Sequence, residues 1–451
     1  MSDTMVPAQE LTLDIESPAA GGTSIARHDG QVVFVSGALP GERVRVITEA
    51  ASAARFLRAE VVEVLEASQH RVADRRLAYV PGGADPSTAG FGGMEFAHVD
   101  LAHSRKLKSE VLADQLSRIG HIDRHVEVRP APGETDGTDW RTRVQLAVDA
   151  EGRAGMLAPR SHDVIAVTSP PLAAGPLNAL DLTGLRLPGV RRLEFAWADD
   201  QGALIVRGPA SPQVIDELEE WLPASFFLLT ETAGSGRGHD SGRSGTRSRG
   251  ARGKPRSRPR ERGADLRVHR GGSTLTERVD GRDFTVAADG FWQVHRRAAE
   301  LLSGEVIGAL PDSVDSIGDL YCGVGLLGIG AARAVGAPLF GIEGVETAIA
   351  HARANAADLD ARFLARSVDR ARLPESDVII LDPPRAGAGK AVTSALVASA
   401  ARTLIYVSCD PATLARDLAQ LTDGGFAIES LTGFDLFPLT AHLETVTILR
   451  R

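Results

Sequence analysis

Short apolar runs alternate with alanine-rich segments over the last third of the chain. The alanine-rich segments include residues 348–357 and 390–401, and the apolar runs are residues 316–320, 338–342, 378–381, 404–407 and 445–449. Strands that alternate with helices build a mostly parallel sheet with helices on both faces. The pattern therefore predicts a doubly wound α/β sheet from Phe284 onward. Ligands bind at the carboxyl edge of such sheets.

Composition limits the class of protein. The 451 residues leave room for roughly three domains of about 150 residues. The two cysteines cannot form a disulfide framework, which fits a reducing cytosol. The first ten residues lack the basic and apolar regions of a secretory signal, and no apolar run of about 18 residues could span a bilayer. We therefore expect a cytoplasmic protein that does not associate with membranes.

Charge is distributed unevenly. The net charge is −9, yet residues 234–263 carry nine arginines and one lysine against Asp240 and Glu261. That segment is almost free of apolar residues, so it cannot bury enough surface to offset its ordering entropy, and we predict that it is disordered. Its Arg-Gly and Arg-Ser tracts can add salt-sensitive RNA affinity, and a solvated linker is the alternative interpretation.

The N-terminal region has the spacing of a small β domain. Strand-like runs at residues 11–15, 31–35, 43–47 and 58–64 are separated by turns at 20–22 and 40–42. Short strands at such intervals fit a compact barrel. Five-stranded barrels often bind oligonucleotides, and any other small β module remains the alternative.

The middle of the chain predicts structure but no chemistry. A helix is predicted over residues 104–119, with Ser104 as its N-cap and Gly120 as its stop. Its apolar stripe, which we interpret as core, comprises Leu107, Val111, Leu112, Leu116 and Ile119. Residues 140–232 are predicted to form a mixed α/β region, with a strand at 144–148 and a helix at 214–222.

A glycine-rich loop follows the first strand of the C-terminal pattern. Gly323, Gly325 and Gly328 have the spacing of a dinucleotide-binding loop, and Glu343 lies 20 residues after Gly323, where a carboxylate can hold ribose hydroxyls. A dehydrogenase is therefore one alternative. Asp319, four residues before Gly323, favours S-adenosylmethionine instead. No residue suggests a hydride-transfer partner. Cys322, beside these glycines, is interpreted as structural.

Two later strand ends carry reactive side chains. The sequence Asp382-Pro383-Pro384-Arg385 follows one apolar run. Its two prolines make it stiff, so we interpret it as a ligand-binding loop, and a rigid turn is the alternative. Methyltransferases that act on exocyclic amines carry an aromatic residue where Arg385 stands, which argues against an amine substrate. Cys409 follows the next run, before a predicted helix at 412–421, where a helix N-terminus would lower the thiol pKa. The alternative is a buried inert cysteine.

Together these motifs resemble the RNA 5-methyluridine (uracil-C5) methyltransferase family. The matching stretches are residues 319–325, 382–385, 407–417 and 437–444, and residues 291–293 resemble the glutamine motif of that family. Residues 10–67 look like its N-terminal TRAM domain. The resemblance implies three domains: a TRAM-like RNA-binding OB-like β-barrel (1–68), a central α/β domain with a disordered insert at 234–263 (69–283), and a Rossmann-like S-adenosylmethionine-dependent methyltransferase domain (284–451).

The resemblance also implies roles for individual residues. Cys409 is expected to be the nucleophile that adds to C6 of uracil, and Glu444 the base that removes the C5 proton. The residues expected to contact S-adenosylmethionine are Gln293, Tyr321, Glu343 and Asp382, with Asp369 near the adenine. The target base must leave its stack to reach the thiol. The implied partner is tRNA or ribosomal RNA, and a monomer is expected.

The chain departs from that family at several positions. Some relatives bind a four-iron cluster, and residues 91–94 stand where two of its cysteines would be expected. Because Cys322 and Cys409 are the only cysteines, no iron–sulfur cluster is expected. The other departures replace asparagines that relatives often carry, at Leu326, His295 and Asp410. The charge of Asp410 is expected to disfavour the neighbouring thiolate.

Other functions remain in competition. Methyltransferases that act on cytosine C5 usually show a Pro-Cys motif, whereas Ser408 precedes Cys409 in this chain. An RNA-binding relative without catalysis is disfavoured by the presence of both Cys409 and Glu444. An oxidoreductase would have to bind a nicotinamide cofactor.

Overall fold

The computed structural model describes residues 8–49, 55–82, 90–232 and 265–451, and the backbone of 5–6 and 51–52. The predicted disordered segment, residues 234–263, lies outside the described residues.

The N-terminal region forms a closed five-stranded barrel, which confirms the predicted β-barrel. The strands of this region, two of which lie outside the barrel, are β1 (Met5–Val6), β2 (Glu10–Ala19), β3 (Thr23–His28), β4 (Gln31–Ser36), β5 (Arg43–Thr48), β6 (Ala51–Ser52) and β7 (Phe56–Glu66). The barrel order is β2-β3-β4-β7-β5, and β1 pairs with β6. Alternate residues such as Val33, Val35, Val44 and Val46 fill the interior. The apolar runs do not predict β3, because most of its residues are polar or small.

The next element is a long helix, α1 (Leu101–Gly120). The predicted cap was wrong: the Asp100 side chain accepts from His103 N, whereas Ser104 is buried one turn later. Gly120 is the last helical residue rather than the stop, which is His121 in the left-handed conformation. A Cβ at Gly120 would lie 2.9 Å from the Ala415 carbonyl oxygen, so glycine permits a close helix contact there. The predicted apolar stripe is mostly buried, although Ile119 is exposed.

A seven-stranded sheet forms the centre of the described chain. Between α1 and this sheet lies β8 (Val128–Pro130), and the sheet and its helix comprise β9 (Arg143–Val148), β10 (Ala154–Leu157), β11 (Val164–Ala166), β12 (Arg192–Ala198), β13 (Gln201–Arg207), α2 (Pro212–Trp221), β14 (Phe226–Glu231) and β15 (Leu266–Arg270). The order is β11-β10-β9-β12-β13-β14-β15. Glu231 pairs with Leu266. The chain therefore leaves and rejoins the sheet at adjacent positions on either side of the arginine-rich segment.

A hairpin leads into the C-terminal region. The hairpin is β16 (Thr274–Val279) and β17 (Arg282–Ala287). The elements that follow are α3 (Ala298–Gly308), β18 (Ile317–Leu320), α4 (Leu326–Val335), β19 (Leu339–Glu343), α5 (Glu346–Asn355), β20 (Ala361–Ala365), β21 (Val378–Leu381), α6 (Gly389–Ala398), β22 (Thr403–Ser408), α7 (Pro411–Asp423), β23 (Ala427–Asp435) and β24 (Glu444–Arg450). Short 3-10 helices lie at Ala20–Gly22, Arg75–Tyr79, Gly175–Leu177 and Val368–Arg370.

The C-terminal sheet has eight strands among the described residues, in the order β20-β19-β18-β21-β22-β24-β23-β8. The first five strands in this order, from β20 through β18 to β22, are parallel to one another. Strand β24 runs antiparallel to both of its neighbours, β22 and β23. One face packs against α3, α4 and α5 through side chains such as Leu302 and Ile349, and the other packs against α1, α6 and α7 through side chains such as Leu112 and Leu414. The predicted doubly wound sheet is confirmed.

One feature of the packing extends beyond the sequence prediction. Helix α1 and strand β8, which lie far upstream, pack into the C-terminal sheet rather than the central one. Within the part of the chain that the structure describes, no helix is both long and apolar enough to cross a bilayer.

Candidate active site

Four of the predicted site residues lie at one edge of the C-terminal sheet. Tyr321 follows β18, Glu343 ends β19, Asp382 follows β21 and Cys409 follows β22. These strands are parallel, so their carboxyl ends meet at the same edge. Glu444 begins β24, and because β24 is antiparallel its first residue lies at this edge as well.

A cavity of about 1050 Å³ opens at this edge. It is lined by all six predicted site residues, namely Gln293, Tyr321, Glu343, Asp382, Cys409 and Glu444. Asp369, expected near the adenine, is exposed, contacts the Ser367 hydroxyl and does not line the cavity. The cavity is large enough for two small ligands side by side, since binding pockets for one drug-sized molecule begin at about 300 Å³.

The Asp319 side chain stabilises the glycine loop through a hydrogen bond. The Oδ2 atom of Asp319 accepts a hydrogen bond from Gly328 N at 3.0 Å, and a Cβ at Gly328 would lie 2.5 Å from that oxygen. Gly323 has a φ of 54°, and a Cβ there would meet no protein atom within 4 Å. Burial raises the pKa of Asp319 to about 8. Asp319 does not line the cavity, so it contacts the loop from the side away from the cavity.

Three of the expected cofactor contacts make hydrogen bonds within the lining of the cavity. Glu343 Oε1 accepts from Val345 N at 2.8 Å, which orients this carboxylate at the end of β19. Gln293 Nε2 donates to Asp382 Oδ2 at 3.4 Å. Burial raises the pKa of Asp382 to about 7, and the contact with Gln293 opposes that rise.

The Cys409 thiol does not have the lowered pKa expected from its position before α7. Burial raises its pKa to about 12, and the negative charges of Glu444 and Asp382 contribute in the same direction. Asp410 adds a smaller effect of the same sign, as expected. Its carboxylate is also the N-cap of α7, accepting from Thr413 N at 2.9 Å. Burial therefore outweighs the helix N-terminus, so the sequence-based expectation for the thiol was wrong.

Glu444 is a strongly desolvated acid at this edge. Its side chain is buried, and among the described residues its Oε1 has no hydrogen-bond partner. Burial raises its pKa well above the usual value, the charge of Asp382 adds to the rise, and Arg385 opposes it. A carboxylate without donors holds a proton strongly once it receives one. Glu444 is therefore suited to accept a proton inside the cavity.

Sequence reasoning assigned no role to several residues that line the cavity. Arg385 Nη2 donates to His442 Nε2 at 3.1 Å, and burial, followed by the charge of Arg385, lowers the pKa of His442. Trp140 and Arg141 reach the cavity from the central region, and the exposed Phe291 lies at its wall. His442 and Phe291 stand inside quoted motifs, whereas nothing in the single sequence indicates Trp140 or Arg141.

Comparison with known proteins decides the family. A family model described as tRNA (Uracil-5-)-methyltransferase matches residues 367–451, a TRAM domain model matches 7–62 and a methyltransferase small domain model matches 303–406. A protein of Streptomyces avermitilis named an uncharacterized RNA methyltransferase is 38% identical over 98% of both chains. The chain belongs to the RNA (uracil-C5) methyltransferase family. A second such methyltransferase, from Streptomyces coelicolor, is 37% identical over 98% of this chain and 93% of its own length.

The fold of this methyltransferase agrees with that assignment. It is similar to the crystal structure of Pyrococcus abyssi tRNA (uracil-54, C5)-methyltransferase in complex with S-adenosyl-L-homocysteine, with a TM-score of 0.69 and 20% identity over 97% of this chain and all of that one. The two proteins therefore share their domain architecture from the TRAM barrel to the C-terminal sheet.

S-adenosylmethionine is the methyl donor expected from the glycine loop. The residues fit such a cofactor: the glycine at position 323 leaves space beside the cavity, and Glu343 ends the strand from which a carboxylate can hold ribose hydroxyls. Bound there, S-adenosylmethionine would supply an electrophilic methyl group.

Four residues at positions where the chain departs from the family pattern serve the packing. Phe91 and Met94 are buried in the central core, Leu326 is buried in the C-terminal core, and His295 stacks on Trp140 at 5.7 Å. Cys322 is buried beside the glycine loop. No group of three or more metal-binding side chains is present in the described ranges.

Proposed function

We propose that this enzyme methylates C5 of a uridine in tRNA or ribosomal RNA through a covalent adduct between Cys409 and C6 of the base. The observation that carries the proposal is that one cavity is lined by a thiol and by a buried carboxylate whose Oε1 has no hydrogen-bond partner within the described part of the chain. C5 of uracil is a weak nucleophile, so methylation there needs prior activation of the ring.

The chemistry then has two halves. The Cys409 thiolate adds to C6, and the C5=C6 electron pair moves into an enolate. C5 then bonds to the methyl group of S-adenosylmethionine as the bond from that methyl to the sulfonium sulfur breaks, and S-adenosylhomocysteine is the leaving group. Glu444 next takes the C5 proton, the C5–H electrons re-form the C5=C6 bond, and the C6–S bond breaks to return the thiolate. Arg385 opposes the raised pKa values of both Cys409 and Glu444, so it favours the charged form of each.

We assign the cofactor contacts to Gln293, Tyr321, Glu343 and Asp382, which line the same cavity as the thiol. The glycine loop and the end of β19 support this assignment, because the corresponding strand ends bind nucleotides in open α/β sheets.

We also retain the division into residues 1–68, 69–283 and 284–451 as a proposal, with a cytoplasmic monomer as the working state. The barrel would supply RNA affinity, and the target base would leave its stack to enter the cavity. The names of the matching family model and of the Pyrococcus abyssi protein make tRNA the first substrate to test.

The decisive experiment incubates the protein with labelled S-adenosylmethionine and RNA from cells that lack the gene, and then identifies the modified nucleoside. We expect 5-methyluridine, no product with Cys409→Ala, and a trapped protein–RNA adduct with Glu444→Gln. Cys322→Ala is the matched control, because Cys322 does not line the cavity and should keep activity. A product of 5-methylcytidine, or full activity in Cys409→Ala, contradicts the proposal.

A further inference from the structure

Glu444 is carried by a loop of unusual shape. Residues 436–443 connect β23 to β24, and Glu444 is the first residue after them. The loop is tightly turned, since Phe437 O accepts from both the backbone N and the hydroxyl of Thr440, at 3.1 and 2.8 Å. Leu439 is fully buried with a φ of 64°, a conformation that costs energy in a residue other than glycine. Surrounding contacts must therefore hold this loop in place.

The first of those contacts is a buried ion pair. Lys108 of α1 donates from Nζ to Asp435 Oδ1 at 2.6 Å and to the Phe437 carbonyl oxygen at 3.0 Å. The Lys108 and Asp435 side chains are 1% and 0% exposed. One ammonium therefore joins the end of β23 to the first turn of the loop, from a helix more than 300 residues earlier in the chain.

Two further contacts come from the segment just before α1. Phe96 N donates to the Leu439 carbonyl oxygen at 3.0 Å. Glu95 Oε2 accepts from Ala441 N at 3.2 Å. The loop is thus held at its start, its middle and near its end by residues 95–108, whereas Cys409 lies on a different connection, between β22 and α7.

The electrostatic environment of Lys108 indicates a role other than stability. Burial of a charged pair costs several kcal/mol of desolvation, and apolar substitutes of similar volume are often as stable. Asp435 Oδ2 also has no partner among the described residues, which adds to the cost. Burial lowers the pKa of Lys108, and Asp435 opposes that effect. What an apolar pair could not supply is the donor to the Phe437 carbonyl.

We propose that Lys108 is a positioning residue that holds the 436–443 loop, and thereby Glu444, against the adduct formed at Cys409. The inference rests on the role of Glu444 proposed above. Because Cys409 lies on a different connection, loss of Lys108 should affect thiol addition less than the removal of the C5 proton. The enzyme would then accumulate its covalent RNA adduct.

The test compares Lys108→Met with the double variant Lys108→Met/Asp435→Leu. The single variant leaves Asp435 buried and unpaired, so it can fail to fold, whereas the double variant replaces the pair by apolar side chains. We expect the double variant to keep the parental melting temperature and S-adenosylhomocysteine affinity. Its turnover should fall by roughly 100-fold, in line with the sensitivity of catalysis to small displacements. Release of tritium from RNA labelled at uridine C5 should fall equally, with adduct visible on a denaturing gel.

Glu277→Gln is the control, since it alters a different buried ion pair, with Arg143, away from the cavity. It should leave the ratio of adduct to product unchanged. Parental turnover in a folded double variant, or equal loss of adduct and product, overturns the role of Lys108. Parental tritium release from Glu444→Gln in the same assay would instead refute the proposed base, whatever Lys108 does.

Discussion

Ser408 lies directly opposite Thr445 in the antiparallel pairing of β22 with β24, and the Thr445 hydroxyl donates to the Ser408 carbonyl oxygen at 2.9 Å. The next residue outward on each strand is Cys409 on one and Glu444 on the other. This register places the thiol and the carboxylate at the same edge although Glu444 comes 35 positions after Cys409 in the chain. A parallel β24 would have sent Glu444 to the opposite edge.

Shortening the carboxylate tests this relationship. Glu444→Asp withdraws the acid by one methylene, so we expect proton removal to slow by roughly 100-fold while adduct formation continues. The quantity to measure is the ratio of covalent adduct to released 5-methyluridine RNA in a single turnover. Glu429→Asp, on the exposed face of β23, makes the same chemical change away from the cavity and should behave as the parent. An unchanged ratio in Glu444→Asp contradicts the proposed geometry.

The thiol should show an unusual pH dependence. With a pKa of about 12, Cys409 is mostly protonated at neutral pH, so its alkylation by iodoacetamide should rise by roughly tenfold per pH unit between about pH 7 and pH 10. Glu444→Gln removes a negative charge that raises this pKa and should therefore speed alkylation at a given pH. Buried Cys322 should react only after unfolding. A rate that levels off by about pH 10, as for an ordinary thiol, would contradict the raised pKa.

Cofactor affinity should depend on Glu343. A hydrogen bond to a charged group contributes about 1.5–3 kcal/mol, so Glu343→Gln should weaken S-adenosylhomocysteine binding by roughly 10-fold or more in isothermal titration calorimetry. The amide can keep the contact with Val345 N, which limits the change to the charge. Glu346→Gln, exposed at the start of α5, is the matched control and should bind as the parent does. Equal affinity of the two variants would exclude the assigned contact.

The free energy of unfolding should depend on Asp417 in α7, which binds the chain just after the Asp382–Arg385 connection. Its Oδ2 accepts from Ala388 N at 2.7 Å and from the Tyr406 hydroxyl at 2.8 Å, and all three groups are buried. Asp417→Ala leaves buried donors without partners, at a cost of about 3 kcal/mol. Urea denaturation should show this loss, whereas Asp423→Ala, exposed at the end of the same helix, should lose far less. Equal losses would show that the buried contacts contribute little.

Local motifs were sufficient to predict the edge of the sheet. Tyr321, Glu343, Asp382 and Cys409 each follow or end an apolar run, and the strand boundaries agree with those runs within one or two residues. That success has a physical reason, because buried parallel strands are continuous apolar segments and their ends carry the polar ligand-binding residues.

Features that depend on distant contacts could not be predicted from one sequence. Lys108 and Asp435 are 327 residues apart, and neither lies in a recognisable motif. The wrong expectation for the thiol pKa has the same cause: the sequence shows the helix after Cys409, but the burial and the approach of Glu444 and Asp382 arise only in the fold. The start of helix α1 was predicted one turn too late because Asp100 and Ser104 are both suitable caps.

The upstream strand β8 has a consequence for engineering this enzyme. Val128 pairs with Gly433, so β8 covers the outer edge of β23. A fragment that begins at residue 284 would expose that edge to pairing with other chains and would lack Lys108 as well. Chimeras that exchange methyltransferase domains should therefore transfer residues 95–130 together with the C-terminal sheet, because the interchangeable module is discontinuous in sequence.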